Sequence, residues 1–381
     1  MSEELEFHGS TKPTIGAELE VLVLDPATGD LAPGGQRILE ACNEEHLEGI
    51  SGEFMLSMLE VKTDVCENVS QIRDSLYSRL RRARNVATTL GYDLAIGGAH
   101  PTARPSMAAI FPSERYHKIE KRLAWMAYQE AVFGLHVHVG VPTGDAAIGV
   151  TNLLVEYLPH LIALASNSPF WQGVDTGFAS MRMLMFRPSG SAGLPPHFES
   201  WQAFNHYCGV MQQAGVMEST KDLYWDIRPQ PKFGTVEFRI FDAPADLATI
   251  LGLCALTRCL VVDALNQIEQ SPAVAKGDVQ TYWLASENRW LSTRFGLKTR
   301  CVRHPGETID TLAGDTARLV ERLLPVAESL GETSFLKTVD PAHFETGAER
   351  QRHLYREHAD WQPVLAEMKN RWVQELDEVR S

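Results

Sequence analysis

The sequence predicts an α+β protein, with its strands in the first two thirds of the chain and helices alone in the last third. Three apolar stretches between residues 14 and 242 alternate their side chains with the period of two that is typical of strands. From residue 245 onward the apolar residues recur at helical spacing. We expect residues 1–381 to form one unit, with a mixed part at 10–243 and a helical part at 244–381.

The composition is that of a soluble globular protein, with 44% hydrophobic and 22% charged residues. The formal net charge of −14 argues against a nucleic-acid partner, which requires a basic surface. The most apolar stretch, residues 247–265, is interrupted by Arg258 and Asp263, so we interpret it as a buried helix and predict no membrane crossing.

The six cysteines are scattered, without a Cys-x-x-Cys pair, which indicates reduced thiols. The first residues are acidic and polar and do not resemble a signal peptide. Together these features predict a cytoplasmic location.

The first predicted strand, residues 14–25, carries two carboxylates on one face. Side chains alternate along a strand, so Glu18 and Glu20 point the same way, about 7 Å apart. Two carboxylates that converge to ~4 Å repel each other by roughly 4 kcal/mol at an effective dielectric constant of 20. Divalent cations would turn this repulsion into attraction. The alternative is an ordinary strand face in contact with solvent.

Glu53 and Glu60 flank the next apolar run. Their spacing is odd, so one flat strand would place them on opposite faces. They can share a site only if a bulge, a turn or two short strands lie between them.

Two further strands bring polar residues to one face. In residues 131–141, His136 and His138 share the face opposite the apolar positions, which makes them candidate ligands. In residues 235–242, Glu237 and Arg239 share a face, and the simplest alternative is that they pair with each other.

The sequence contains none of the common phosphate-binding, zinc-protease or serine-hydrolase motifs. Carboxylates with an occasional imidazole are the ligands that Mg²⁺ or Mn²⁺ prefers, whereas a zinc site would be richer in Cys or His.

Taken together, these stretches resemble the carboxylate–amine ligase family, that is, the type 2 glutamate–cysteine ligase group with a glutamine-synthetase-like catalytic fold. The matching segments are residues 16–20, Glu53 with 60–63, 135–140, 224–229, 234–239, and 287–290 followed by Arg294. The resemblance implies an antiparallel sheet curved into an active-site funnel, with helices outside.

Position by position, the resemblance implies two divalent-cation sites. One would be held by Glu18, His136 and Glu237, and the other by Glu20, Glu53 and Glu60. The five carboxylates carry −5 and two divalent ions carry +4, so the loaded site would be nearly neutral. Arg239 and Glu53 are the candidate catalytic residues. Arg239 and Arg294 are the candidates for nucleotide binding.

The candidates for substrate binding are three arginines, a histidine and a tryptophan: Arg182, Arg187, Arg228, His138 and Trp225. Arginine suits bidentate binding of carboxylates, and the tryptophan would form a wall of the amine pocket. The alternatives are structural ion pairs for the arginines and a core position for Trp225. The Gly/Pro-rich loop at residues 189–196 is a candidate mobile lid.

The implied reaction uses ATP as a substrate and Mg²⁺ or Mn²⁺ as cofactor. A carboxylate attacks the γ-phosphate, and an amine displaces phosphate from the acyl phosphate. The implied substrates are glutamate and an amine such as cysteine, and a homodimer remains an option. Three alternatives stay open: a phosphotransferase acting on a guanidino or amino compound, a non-catalytic nucleotide- or metabolite-binding protein, and a metal-dependent hydrolase.

Overall fold

The computed structural model describes residues 5–104, 109–185, 190–276, 279–301 and 311–378. The strands in these ranges are β1 (Ile15–Leu24), β2 (Ile50–Gly52), β3 (Met58–Lys62), β4 (Asp93–Ala95), β5 (Gly134–Gly140), β6 (Phe170–Trp171), β7 (Val174–Asp175), β8 (Ala192–Gly193), β9 (Tyr224–Trp225), β10 (Ile227–Gln230) and β11 (Thr235–Asp242).

The helices in the same ranges are α1 (Gly35–Glu44), α2 (Val69–Thr89), α3 (Glu114–Leu123), α4 (Gly144–Leu154), α5 (Leu158–Ala165), α6 (Arg182–Met185), α7 (Trp201–Gln213), α8 (Leu247–Gln270), α9 (Val279–Phe295), α10 (Leu312–Leu330), α11 (Thr333–Leu336), α12 (Gly347–His358) and α13 (Gln362–Glu378).

The main sheet of the described chain has seven antiparallel strands in the order β10-β11-β5-β1-β3-β2, with β4 paired to the end of β1. The central strand is β1. It pairs with β3 along one edge, and along the other with β5 first and then with β4. The predicted α+β class with an antiparallel sheet is therefore confirmed.

The three long strands predicted from alternation are β1, β5 and β11. On β1, Ile15, Ala17 and Leu19 are buried under the helices, and Glu18 points to the other face. The odd spacing of Glu53 and Glu60 is explained by a connection that is not part of a strand, because β2 ends at Gly52 and β3 begins at Met58. The two carboxylates therefore belong to different segments.

Two apolar spans, Gly144–Ala165 and Leu247–Gln270, are long and apolar enough to cross a membrane by length and composition alone. However, 78% and 83% of their most apolar windows are buried inside the protein. This burial is what core helices show. The span from Leu247 is helix α8, which packs against β5 as the sequence predicted for a buried helix.

The main sheet ends at Asp242, and the described residues beyond it form only helices and connecting segments. One apolar core nevertheless contains residues from both parts, from Ile15 on β1 to Leu376 on α13. The division at residue 243 stays a prediction about folding units.

Candidate active site

The register of four strands places acidic and imidazole side chains next to one another. Across the β1–β3 pair, Glu20 lies opposite Glu60. Across β1–β5, Glu18 lies opposite His136, and across β5–β11, His138 lies opposite Glu237. Directly opposed residues have Cβ atoms about 4.5–5.5 Å apart. The hydrogen-bonding pattern of the backbone therefore assembles the site.

This face lines a cavity of about 550 Å³, within the range of small-molecule sites. We call its carboxylates the acidic cluster: Glu18, Glu20, Glu53, Glu60 and Glu237. The cavity is also lined by His136, His138, Arg182, Arg228 and Arg239. The structure thus brings together every described residue proposed for the metal sites.

Glu18, His136 and Glu237 each offer one ligand atom, and these atoms lie within 4.8 Å of one another. His136 Nδ1 is 3.5 Å from Glu18 Oε2, and His136 Nε2 is 3.9 Å from Glu20 Oε1. Both ring nitrogens are buried and have no hydrogen-bond partner in the described chain. Burial, helped by the nearby Arg239 guanidinium, lowers the pKa of His136 to about 4, so the imidazole is neutral. A buried neutral imidazole beside two carboxylates fits a divalent cation.

The second group, Glu20, Glu53 and Glu60, is more repulsive. Burial and the neighbouring Glu60 and Glu20 raise the pKa of Glu53 to about 8. Burial also raises the pKa of Glu20 and of Glu60. Such shifts are expected where carboxylates converge with too little positive charge, and a bound cation would reverse them.

Each carboxylate of this second group also accepts a hydrogen bond from the protein. Glu53 Oε1 accepts from the Tyr116 hydroxyl (3.1 Å) and from the Phe54 N–H (2.9 Å). Glu60 accepts from the Ser51 hydroxyl at 3.1 Å and pairs with Lys62 Nζ at 2.5 Å. Glu20 accepts from the Gly134 N–H. These bonds hold the carboxylates in place and leave room for a ligand on the cavity side.

Glu237 is the most strongly held member of the acidic cluster. Arg228 donates to it through Nε (2.7 Å) and Nη2 (3.2 Å), and Arg239 Nη1 donates at 2.5 Å. Although burial opposes ionisation, these two guanidinium groups hold the pKa of Glu237 well below its usual range. Glu237 therefore pairs with Arg239, as the simplest alternative predicted, and also belongs to the acidic cluster.

Arg228, a predicted substrate-binding residue, lines the cavity but is held by several partners within the protein. Besides its two bonds to Glu237, its Nη1 donates to the carbonyls of Leu223 (2.6 Å) and Thr220 (3.0 Å). These bonds show that Arg228 anchors Glu237, and its role in substrate binding stays a prediction.

The other predicted substrate contacts fall in different surroundings. Arg182 lines the cavity but is 1% exposed and donates to the carbonyl of Arg239. His138 donates or accepts at Thr235 through Nδ1, while its Nε2 lies 3.9 Å from both Glu18 and Glu237. Arg187 lies outside the described residues. Part of the predicted lid, Ala192–Gly193, is strand β8 and pairs with β9.

Two predicted site residues lie away from the cavity. Trp225 is 2% exposed and packs against Phe198, Phe204 and Tyr207 in a small aromatic cluster, so the prediction that it walls the amine pocket is wrong. Arg294 lies over the rings of Phe295 (4.8 Å) and Phe178 (5.1 Å) and does not line the cavity. The nucleotide-binding prediction for Arg294 is not supported.

Sequence reasoning missed the basic wall of the cavity on α3. Arg115, Lys118 and Arg122 all line the cavity, and their helical spacing places them on one side of the helix. Lys118 bonds Glu218 at 2.9 Å and Arg122 bonds the carbonyl of Val216 at 2.8 Å, which fixes the helix to the segment after α7. The spacing of the basic residues was the available signal, but nothing in it revealed which face met the cavity.

Comparison with solved structures gives the fold. The fold is similar to that of the glutamate–cysteine ligase from Francisella tularensis solved in complex with AMP, with a TM-score of 0.71, 13% identity, and coverage of 98% of this chain and 90% of that one. It is also similar to the ligase PafA in complex with the ubiquitin-like protein Pup, with a TM-score of 0.52 and 12% identity over 98% of this chain and 76% of that one. These likenesses show that the chain shares the fold of these two proteins.

Sequence comparison gives the family. The profile of glutamate–cysteine ligase family 2 (GCS2) matches residues 14–371. A candidate glutamate–cysteine ligase 2 of Gloeobacter violaceus is 36% identical over 376 residues, covering 96% of this chain and 98% of the relative. A candidate glutamate–cysteine ligase 2-1 of Rubrobacter xylanophilus is 36% identical over 360 residues, 94% of each chain. The chain belongs to glutamate–cysteine ligase family 2, and it is an ATP-dependent ligase that forms carbon–nitrogen bonds.

Proposed function

We propose that the protein joins the γ-carboxylate of glutamate to the amino group of cysteine, forming γ-glutamylcysteine, ADP and phosphate from ATP. The observation that carries the proposal is the strand register that gathers the acidic cluster around one cavity, together with the buried imidazole of His136, whose ring nitrogens make no hydrogen bond within the described residues. The family membership and the names of the relatives support glutamate and cysteine as the substrates.

The donor set favours two divalent cations, Mg²⁺ or Mn²⁺. Glu18, His136 and Glu237 would hold one, and Glu20, Glu53 and Glu60 the other. Bound cations supply neutralisation of the charge on the ATP phosphates. This assignment also accounts for the raised pKa of Glu53, which lacks enough positive charge around it.

The remaining work falls to positioning by the chain. The attacking group is a carboxylate of the substrate, so no protein nucleophile is required, and phosphoryl transfer depends on alignment and on stabilisation of charge. Arg239 stands at the edge of the acidic cluster, with its side chain 12% exposed, and would meet the transferring phosphoryl group. Glu53, which is held by the Tyr116 hydroxyl and the Phe54 N–H, is the second candidate catalytic residue.

The basic wall of α3 favours anionic substrates. Arg115, Lys118 and Arg122 face a cavity whose other side is the acidic cluster. The carboxylates of the acidic cluster repel a carboxylate substrate or a phosphate group at long range, and the basic wall opposes that repulsion. We expect this wall to raise the affinity for ATP and for glutamate more than for a neutral amine.

A cytoplasmic setting accompanies this proposal. All six cysteines are buried as thiols, as in proteins of a reducing compartment. The homodimer remains a prediction.

The proposal is tested by measuring phosphate release and product mass across a matrix of carboxylates and amines with Mg²⁺ and ATP. We expect ADP and phosphate to appear only when glutamate and an amine are both present, with cysteine the best amine and γ-glutamylcysteine the product. A different best amine would change the substrate and keep the ligase class. Transfer of phosphate onto a guanidino or amino compound would instead indicate a phosphotransferase, and hydrolysis that needs no ATP a hydrolase.

A further inference from the structure

Arg239 lies where the pairing of β11 with β5 becomes irregular. Phe238 lies opposite Val137 and Phe241 opposite Leu135, so three steps along β11 correspond to two along β5. An extra residue of this kind bends a strand and changes the direction of a side chain, and it is left outside the normal ladder. Something other than β5 must therefore hold the main chain of Arg239.

Both main-chain groups of Arg239 have such a partner. Its N–H donates to the carbonyl of Asp226 at 2.9 Å. Its carbonyl accepts from both Nη1 and Nη2 of Arg182, each at 3.2 Å. The backbone of the residue proposed to meet the phosphoryl group is thus gripped from two sides by groups outside the β5 ladder.

Asp226 is in turn fixed by the helical part of the chain. Arg289, on α9, forms a bidentate pair with it, with Nε to Oδ2 at 2.5 Å and Nη2 to Oδ1 at 2.9 Å. Asp226 is fully buried and Arg289 is 4% exposed. A bidentate arginine–carboxylate pair fixes orientation as well as distance, which a lysine would not do.

The seat of Arg182 is equally restricted. A Cβ atom on Gly134 would lie 2.2 Å from Arg182 Nη2, so only glycine at this position leaves room for the guanidinium. The N–H of the same glycine donates to Glu20 of the acidic cluster. Gly134, which lies on the same strand as His136, therefore determines where the guanidinium of Arg182 can lie.

We propose that Arg289, acting through Asp226, and Arg182 are positioning residues that aim the Arg239 side chain by holding its main chain. The inference rests on the proposed role of Arg239 in phosphoryl transfer. It extends that role to a residue of the C-terminal helical part, which makes helix α9 a structural support of the catalytic step.

The test combines Arg289→Lys with two readouts. The first is the Nε–Hε resonance of Arg239 in protein labelled with ¹⁵N-arginine, assigned by its loss in Arg239→Lys. The second is steady-state kinetics. We expect Arg289→Lys to shift this resonance and to lower kcat by about 10–100-fold, as a small misplacement does, while the KM for ATP changes by less than about threefold. In an Arg239→Lys background, Arg289→Lys should cause no further loss of kcat.

The matched control is Glu332→Gln, which breaks the buried pair between Arg258 and Glu332. Neither residue lines the cavity. We expect this variant to lower the melting temperature but to leave the Arg239 resonance and kcat unchanged. If Arg289→Lys does not fold, Asp226→Asn, which keeps the shape and removes the charge, is measured in the same way.

Two results would overturn the inference. One is an unchanged Arg239 resonance in the Arg289→Lys or Asp226→Asn protein. The other is a loss of kcat in the double variant that equals the product of the losses in Arg239→Lys and Arg289→Lys. If the wild-type protein forms no amide in the presence of ATP, the proposed function is contradicted instead. The resonance would then still decide whether Arg289 positions Arg239.

Discussion

Glu18 and Glu237 contribute to the same predicted cation site but differ in their other partners. Glu237 is 1% exposed and is held by Arg228 and Arg239. The side chain of Glu18 is 23% exposed, and within the described chain its ion-pair contacts are the imidazoles of His136 and His138. Substitution of Glu18 therefore separates the loss of a cation ligand from the loss of a structural ion pair, and substitution of Glu237 does not.

We predict that Glu18→Gln lowers ATP turnover by about 100-fold or more, because a cation ligand aimed at the phosphates is lost. Without added Mg²⁺, its melting temperature should change little, because the lost repulsion of Glu20 and Glu60 offsets the lost contacts to His136 and His138. Turnover and thermal denaturation in EDTA are the measurements. Near-normal turnover in this variant would remove Glu18 from the proposed site.

We predict that Glu237→Gln loses turnover and also loses about 3–5 kcal/mol of unfolding free energy, because two buried guanidinium groups are left without their carboxylate. Denaturant unfolding measures the loss. Combining it with Arg228→Gln should recover part of the stability, since one uncompensated charge is removed. Wild-type stability in the single variant would refute the structural part of its role.

Residue types and strand alternation were enough to predict that Glu18 and Glu20 share one face of their strand and that His136 lies on the polar face of its strand. A period of two decides which side chains share a face. Residue types and alternation could not decide the roles of the arginines. Arg182 and Arg289 end in buried partners that are 57 and 63 residues away, Arg228 pairs across β10–β11 with Glu237, and Trp225 turns to the side of its strand where three aromatic rings lie. Local pattern carries no information on such partners.

Among the elements, the short strands β2 and β3 and helix α3 mark the limits of sequence reasoning. The connection between β2, which ends at Gly52, and β3, which begins at Met58, explains how Glu53 and Glu60 reach the same cavity. No residue of helix α3 is buried, although its apolar and charged side chains lie on different sides of the helix, and its basic side lines the cavity. Two short strands were one of the options that the spacing of Glu53 and Glu60 left open, and the spacing of the basic residues on α3 did not reveal which face meets the cavity.

Helices α13 and α8 meet through a carboxylate whose titration we expect to affect stability. Glu375 Oε2 accepts the N–H of Ala248 at 2.9 Å, at the beginning of α8. Burial, with the nearby Asp246, raises the pKa of Glu375 from 4.5 to about 7. The folded state therefore binds a proton more tightly than the unfolded state. This contribution to stability is fully present below pH 4.5 and is lost as the pH rises through 7.

We predict that Glu375→Gln, which keeps an acceptor for the Ala248 N–H, is more stable relative to wild type at pH 8 than at pH 5. Denaturant unfolding at the two values measures the difference, and comparing variants cancels the titration of other groups. Glu321→Gln, at an exposed position of α10, is the control. A difference between Glu375→Gln and wild type that does not change with pH would contradict the assignment.

At the scale of the whole molecule, a net charge of −14 and an acidic cluster lead us to predict that bound cations stabilise the protein. A ligand that binds only the folded state at 100 times its Kd adds about 2.7 kcal/mol of stability. We predict that Mg²⁺ with ADP raises the melting temperature by several degrees, and that Na⁺ at equal ionic strength does not. The Glu18→Gln protein should lose most of this shift. A melting temperature indifferent to Mg²⁺ and nucleotide would count against the proposed site.

The central claim is that carboxylates from separate segments gather divalent cations around the site of phosphoryl transfer. The most direct measurement is anomalous diffraction from crystals soaked with Mn²⁺ and a non-hydrolysable ATP analogue. We expect one peak within coordination distance of Glu18, His136 and Glu237, and a second among Glu20, Glu53 and Glu60. Peaks at other residues, or ordered nucleotide with no peak in the acidic cluster, would contradict the account.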